Sequence, residues 1–212
     1  DTDVDINDLS SSVIDLAFIG FGLSSTFTLI EFITQLNDLS TGPQSQKPNK
    51  KVNIVVFEKD SCLWGGIPYG PRSGFNSLLI TPLDEFLPDS ELAPFITWMH
   101  QNINWLLVPF NATCGVHSKL WLSTFEKALA SGGIEKLHIP RYFFGLYLLD
   151  RLKSCISISD PVVDISFVNS EVLSVKSCAS NRDSFEISTT DNNFYTSSQV
   201  LLGVGIPDIQ SL

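Results

Sequence analysis

An α/β fold is predicted, with a parallel sheet flanked by helices and a β-meander toward the C-terminal end. Three observations predict it. A short, apolar, β-branched run, "VIDLAFIG" (13–20), leads at once into a run with helical apolar spacing, "LSSTFTLIEFITQL" (23–36). A second short apolar run, "VNIVVFEKD" (52–60), follows a polar loop and completes a βαβ unit, whose strands pair in parallel. The last quarter holds four short β-rich runs separated by tight polar turns.

Residues 1–12 are acidic and Ser-rich and are expected to form a loose arm. Residues 13–212 are expected to form one domain, long enough for a substantial core. In the first helix Leu23, Phe27, Ile30 and Ile33 make the apolar stripe, widened by Leu29, Phe32 and Leu36. The stretch "NDLSTGPQSQKPNKK" (37–51) is polar, carries two prolines and reads as a surface loop. From Ser61 to Leu87 the chain is rich in Gly, Pro and aromatics, the composition of a long irregular segment, and such segments often carry function. Residues 90–102, 118–130 and 141–156 read as helices. Strands are expected over 162–169, 170–178, 184–191 and 194–205, with no internal repeat.

Composition excludes some functions. Charged residues make up 17% and hydrophobic ones 43%, a globular rather than a disordered balance. A formal net charge of −10 argues against nonspecific binding to nucleic-acid phosphates, but leaves room for a small anionic ligand in a locally positive pocket. Cys62, Cys114, Cys155 and Cys178 form no C-x-x-C pair, so no zinc or dithiol motif is supported and no metal is expected; free thiols are the reading. The triplet at Asn111 is a formal glycosylation sequon of a kind that arises often by chance. No apolar run is long enough for a membrane span: the nearest, Phe18 to Ile33, contains the glycine turn and Glu31. No signal peptide is recognised, and a soluble, cytoplasmic protein is the default expectation. The chain begins with Asp1 rather than Met, so a leader or longer N-terminus is expected to be missing.

The chemistry concentrates at Gly20-x-Gly22-x-x-Ser25, which follows a strand and opens a helix, the context a dinucleotide site requires. The first glycine allows a tight turn, and the second lets a pyrophosphate approach the backbone. The third position sets how closely helix and strand pack. Free N–H groups and the helix dipole then bind the phosphate. Ser25 at the third position departs by one small side chain and is expected to widen the helix–strand contact slightly. Glu58, at the end of the second strand, is placed to accept hydrogen bonds from a ribose diol. The 37–51 insertion accounts for its long separation from the glycines, since surface insertions are tolerated. A purely structural strand–helix turn with an exposed Glu58 is the competing reading.

Further segments line up in order. "VVFEKDSCLWGGIPYG", "SLLITPLDEF", "IPRYFFGLYLLDRL", "SEVLSVKS" and "QVLLGVGIP" resemble successive segments of two-dinucleotide FAD/NAD(P)-binding flavoproteins, a group that includes the FAD-dependent N-hydroxylating monooxygenases. The resemblance spans residues 13 to 207. It implies a Rossmann-like FAD-binding fold in a flavin-dependent oxidoreductase, with FAD as cofactor and NAD(P)H bound by a segment that this chain does not contain. It implies that Gly20, Gly22, Ser24 and Ser25 face the pyrophosphate and Glu58 the adenosine ribose. Trp64, Gly65, Gly66, Tyr69, Thr81 and Pro82 would lie on the flavin side, with Arg141 at a helix start beside the cofactor. Val172 would offer its backbone to adenine, and Gly205 and Pro207 would close the site. Arg141 reads equally as a helix-end surface charge, Trp64 and Tyr69 as core plugs, and Val172 as core. His117 and His138 are read as surface or capping residues.

Two departures stand out. Gly203-Val204 replaces the Ala-Thr of the resembling segment, which removes a hydroxyl near the cofactor. The chain also stops at Leu212, before the nicotinamide-nucleotide domain and the returning segment such proteins have, so it is expected to be a fragment or to have lost turnover. No catalytic acid or base is assigned. A noncatalytic scaffold with protein partners and an NAD(P)-binding protein without flavin are the alternatives.

Overall fold

The computed structural model describes residues 13–41, 50–62, 64–113, 115–159, 162–178 and 183–205. The arm at 1–12, most of the polar loop after the first helix, Cys114 and Pro207 lie outside these residues. The chain divides into two compact units, Asp1–Gly66 with Arg151–Leu212, and Ile67–Asp150.

The first unit is built on a six-stranded sheet. Its strands are β1 (Ile14–Ile19), β2 (Val52–Phe57), β3 (Val163–Val168), β4 (Val172–Ser177), β5 (Phe185–Thr189) and β6 (Phe194–Leu202), in the spatial order β3-β2-β1-β6-β5-β4. The β3-β2-β1-β6 part is parallel, and β6-β5-β4 is an antiparallel meander. The α/β class, parallel sheet and meander are thus as the sequence predicts. The helix α1 (Leu23–Thr41) supplies the crossover that a parallel β1–β2 pair requires.

The strand β6 serves both parts. Its first half pairs with β5 and its second half with β1, and Ser197 is the residue at which both pairings meet, opposite Phe185 and Ile14. Ser197 is fully buried, and its hydroxyl donates to the Gln199 carbonyl at 2.6 Å. The meander then lays Ile187 and Tyr195 on a core of Ile14, Ala17, Ile19, Val55 and Phe57. Phe57 and Tyr195 meet edge to face with centroids 5.0 Å apart. Phe18, Ile54 and Val56, which alternate along the strands with these residues, are also buried, as are Leu29, Ile30 and Ile33 of α1. Burial on both faces explains why β1 and β2 read as continuous apolar runs.

The helix α1 runs five residues past the predicted Leu36. The added turn, Asn37–Thr41, is polar apart from the exposed Leu39, and polarity is compatible with the exposed side of a helix.

The second unit is helical and aromatic. The segment predicted irregular carries three single turns: α2 (Gly66–Tyr69), a 3₁₀ turn (Pro71–Ser73) and α3 (Leu83–Phe86). Next come α4 (Asp89–Thr113), α5 (Val116–Ser131) and a 3₁₀ turn (Ile134–Lys136). Then α6 (Arg141–Ser159) begins, and its last residues, from Arg151, belong to the first unit. The helix α4 extends well beyond the predicted Asn102 and contains Pro109, whose missing N–H removes one helical bond without ending the helix. Within this unit Phe86, Phe95, Phe144 and Tyr147 pack ring against ring, with Phe144 edge-on to Phe86 at 5.1 Å and to Phe95 at 5.4 Å. None of the described helices is long and apolar enough to cross a membrane.

Candidate functional site

Gly20 ends β1 with φ +81°, a left-handed conformation that disfavours any side chain. Its N–H donates to the Phe57 carbonyl at 2.8 Å, and the Gly203 N–H donates to the Ile19 carbonyl at 2.8 Å. The ends of β2 and β6 therefore clamp the turn from both sides. A Cβ on Gly20 would lie 2.7 Å from the Gly203 carbonyl oxygen. The fold itself demands glycine here.

Gly22 is different. Its φ is not positive, and a Cβ there would meet nothing nearer than the Gly66 Cα at 3.9 Å. The protein's own packing makes no use of the missing side chain, so the backbone is left open to a ligand. The first intrahelical bond near this point runs from the Thr26 N–H to the Gly22 carbonyl at 3.0 Å. The N–H groups of Leu23, Ser24 and Ser25 precede it and belong to the unsatisfied first turn. No acidic side chain stands in that turn to neutralise the positive end of a 19-residue helix.

Glu58 directly follows β2 and is 9% exposed. One carboxylate oxygen accepts the Phe21 N–H at 2.7 Å and the other accepts the Asp60 N–H at 3.0 Å. It thereby holds the middle residue of the glycine turn. Each carboxylate oxygen has a further lone pair, so these bonds leave capacity for a diol. The Asn169 side-chain amide donates to the Glu58 and Asp60 carbonyls, both at 2.9 Å, which fixes the loop after β2.

That loop continues into Trp64, Gly65 and Gly66. Gly65 and Gly66 both have positive φ, at 70° and 56°, and Gly66 is the residue that faces Gly22. Among the described residues, three buried side-chain polar atoms have no hydrogen-bond partner: Ser25 Oγ, Trp64 Nε1 and the Tyr195 hydroxyl. Native interiors tolerate few such atoms, and each asks for an explanation. Two of the three belong to residues that the sequence places at the glycine turn or in the loop facing it.

Ser25 is 1% exposed, and its hydroxyl occupies the space a Cβ on Gly203 would need. The expected widening of the helix–strand contact is thus taken up by the bare backbone of Gly203. Ser24 is exposed on the outer side of the same turn. Val172 opens β4, is half-buried against the core cluster and pairs with Thr189. A 3.5 Å ion pair between Lys59 and Glu171 joins the residues next to Glu58 and Val172; exposed on both sides, it contributes little. Gly205 has φ +72° and is exposed.

Tyr69, Thr81, Pro82 and Arg141 lie in the second unit. Tyr69 ends α2, stacks on Phe86 at 6.1 Å and meets Phe144 edge-on at 6.0 Å. Burial raises its phenol above the ordinary value, and the charge of Arg141 pulls it partly back. Arg141 opens α6; its N–H donates to the Ser77 carbonyl at 2.8 Å and its Nε to the Leu78 carbonyl at 3.0 Å. Pro82 caps α3, and Thr81 precedes it. His138 is exposed, with its Nδ1 2.9 Å from the Leu79 carbonyl; the His117 side chain lies outside the described residues. Sequence reasoning missed Gly145. A Cβ there would overlap the Tyr69 carbonyl, and the available signal was a glycine inside a strong apolar helix. Cys62, Cys155 and Cys178 are free thiols, as predicted.

The family pattern described as FAD-NAD(P)-binding matches residues 17–207. An uncharacterized protein of Mycobacterium tuberculosis and one of Mycobacterium bovis are each 30% identical over 201 residues, covering 93% of this chain. The chain spans 37% of the length of these curated relatives. Similar solved structures include the reduced form of ornithine hydroxylase from Pseudomonas aeruginosa, with TM-score 0.47, 16% identity, and coverage of 90% of this chain and 38% of that one. Cyclohexanone monooxygenase from Rhodococcus sp. Phi1 bound to NADP+ is similar with TM-score 0.41, 17% identity, and coverage of 93% and 28%.

Proposed function

The chain belongs to the FAD-NAD(P)-binding family, and from that premise we propose that its first unit binds FAD by the adenosine diphosphate half, as part of a flavin-dependent oxidoreductase that draws reducing equivalents from NAD(P)H. The observation that carries the proposal is Gly22: a glycine with an ordinary backbone and open space where its side chain would be, at the unsatisfied N-terminus of a long helix. The residues present fit such a group. The first-turn N–H groups and the helix dipole hold the phosphates. Glu58 accepts the ribose hydroxyls while keeping the Phe21 N–H in place. The Gly65-Gly66 backbone, left without side chains, faces Gly22 and gives a diphosphate a second bare wall. The partnerless Trp64 indole N–H adds a donor in the same loop. When bound, the flavin supplies the redox chemistry; the chain's share is position and electrostatics. No side chain of this chain is assigned as an acid or base.

The test is reconstitution. The purified chain is incubated with FAD, NADH or NADPH in turn, desalted, and read for bound nucleotide by absorption. The proposal expects retained flavin absorbance. Exclusive retention of NADPH or NADH would favour a nicotinamide site without flavin, and retention of nothing would favour a scaffold that kept only the fold.

A further inference from the structure

One notch between the first turn of α1 and the end of β6 holds a single side-chain atom. Ser25 Oγ fills it, and a Cβ on Gly203 would overlap that oxygen. Behind the oxygen the fit is tight but far less so: the same Cβ would stand 3.4 Å from the Ser25 Cβ and 3.1 Å from the Gly20 carbonyl oxygen, against 2.0 Å from the Ser25 Oγ. The hydroxyl is therefore the main obstruction, and the Gly20 carbonyl need give only a few tenths of an ångström once it is gone. The hydroxyl gains no hydrogen bond in this place, so it sits there as volume and not as a bonded group.

The position matters because Gly203 touches the glycine turn at two further points. Its N–H holds the Ile19 carbonyl at 2.8 Å, and its carbonyl oxygen is the atom that forbids a side chain on Gly20. Whatever fills the notch sets the distance between the first turn of α1 and the strand end that clamps Gly20. We propose that Ser25 and Gly203 act as one positioning pair: the helix carries the side-chain volume, the strand gives it up, and the spacing they set aims the first-turn N–H groups at the cofactor phosphates. This inference rests on the dinucleotide reading of that turn.

The pair predicts a specific non-additivity. Gly203→Ala in the wild-type background forces Ser25 and the helix start aside. FAD affinity, measured by calorimetry at a temperature where every variant is folded, is expected to fall by about tenfold, on the scale of overpacking a buried contact. The same Gly203→Ala change in a Ser25→Ala background, compared with Ser25→Ala alone, is expected to weaken FAD by less than about threefold, because the 2.0 Å overlap is gone and the closest remaining neighbour, the Gly20 carbonyl oxygen at 3.1 Å, need give only a few tenths of an ångström. Equal losses in the two backgrounds would overturn the pairing. A melting temperature that shows the coupling while FAD affinity does not would reduce the pair to packing and overturn the positioning role. If the wild-type chain takes up no FAD, the dinucleotide reading fails and the positioning role with it. The melting-temperature cycle then still decides whether the two residues share one notch.

Discussion

Gly20 and Gly22 sit two residues apart and should fail in opposite ways when a methyl group is added. Gly22→Ala adds a Cβ whose nearest neighbour is 3.9 Å away, on a backbone without positive φ. The folded state is not strained, and the unfolded chain loses freedom, so stability should hold or rise by up to about 1 kcal/mol. The same methyl group stands where a phosphate must approach the backbone. Displacing one or two charge-assisted N–H bonds removes about 2–3 kcal/mol, or roughly 30- to 150-fold in affinity. Gly20→Ala is the converse. A left-handed alanine costs about 1–2 kcal/mol, and the 2.7 Å approach to the Gly203 carbonyl adds an overpacking term of about 1–3 kcal/mol. Chemical denaturation measures the first quantity and FAD titration the second. A Gly22→Ala protein that binds FAD like wild type would refute the reasoning, because the open space at Gly22 would then serve no ligand.

Two further outcomes follow from the geometry. Glu58→Ala leaves the Phe21 and Asp60 N–H groups without their acceptor and removes the ribose contact, so both stability and FAD affinity should drop, each by about 1–3 kcal/mol; an unchanged affinity with lowered stability would restrict Glu58 to holding the loop. Gly145→Ala drives a methyl group into the Tyr69 carbonyl inside the second unit and should lower stability by about 1–3 kcal/mol in denaturant unfolding, whereas a neutral result would mean that α2 shifts freely.

What was legible in the sequence follows from how local each feature is. The strands β1 and β2 were placed to within a few residues because a parallel strand buried on both faces is an unbroken apolar run, and Gly20 was placed because a strand-to-helix turn needs it. The end of α1 was not, because Asn37–Thr41 are mostly polar and helical at once, and polarity alone cannot separate a loop from an exposed helical turn. The change of partner along β6 at Ser197 was also hidden. A single run of nine residues pairs with two different partners, and nothing in its alternation says where one partner ends. Most informative is the pair of departures at Ser25 and Gly203. The sequence reads them separately, Ser25 as a departure by one small side chain and Gly203-Val204 as the loss of a hydroxyl near the cofactor. In space they compensate, and only the contact between residues 178 positions apart in the chain (203 − 25) reveals it.

Whether a dinucleotide lies on the glycine turn can be read from hydrogen–deuterium exchange with and without FAD. FAD is expected to slow exchange at the first-turn amides of residues 23–25, which have no helical partner, and in the Gly65-Gly66 loop, whose Gly66 faces the open backbone of Gly22. FAD that binds while these amides exchange unchanged, with protection appearing elsewhere in the chain, would contradict that placement.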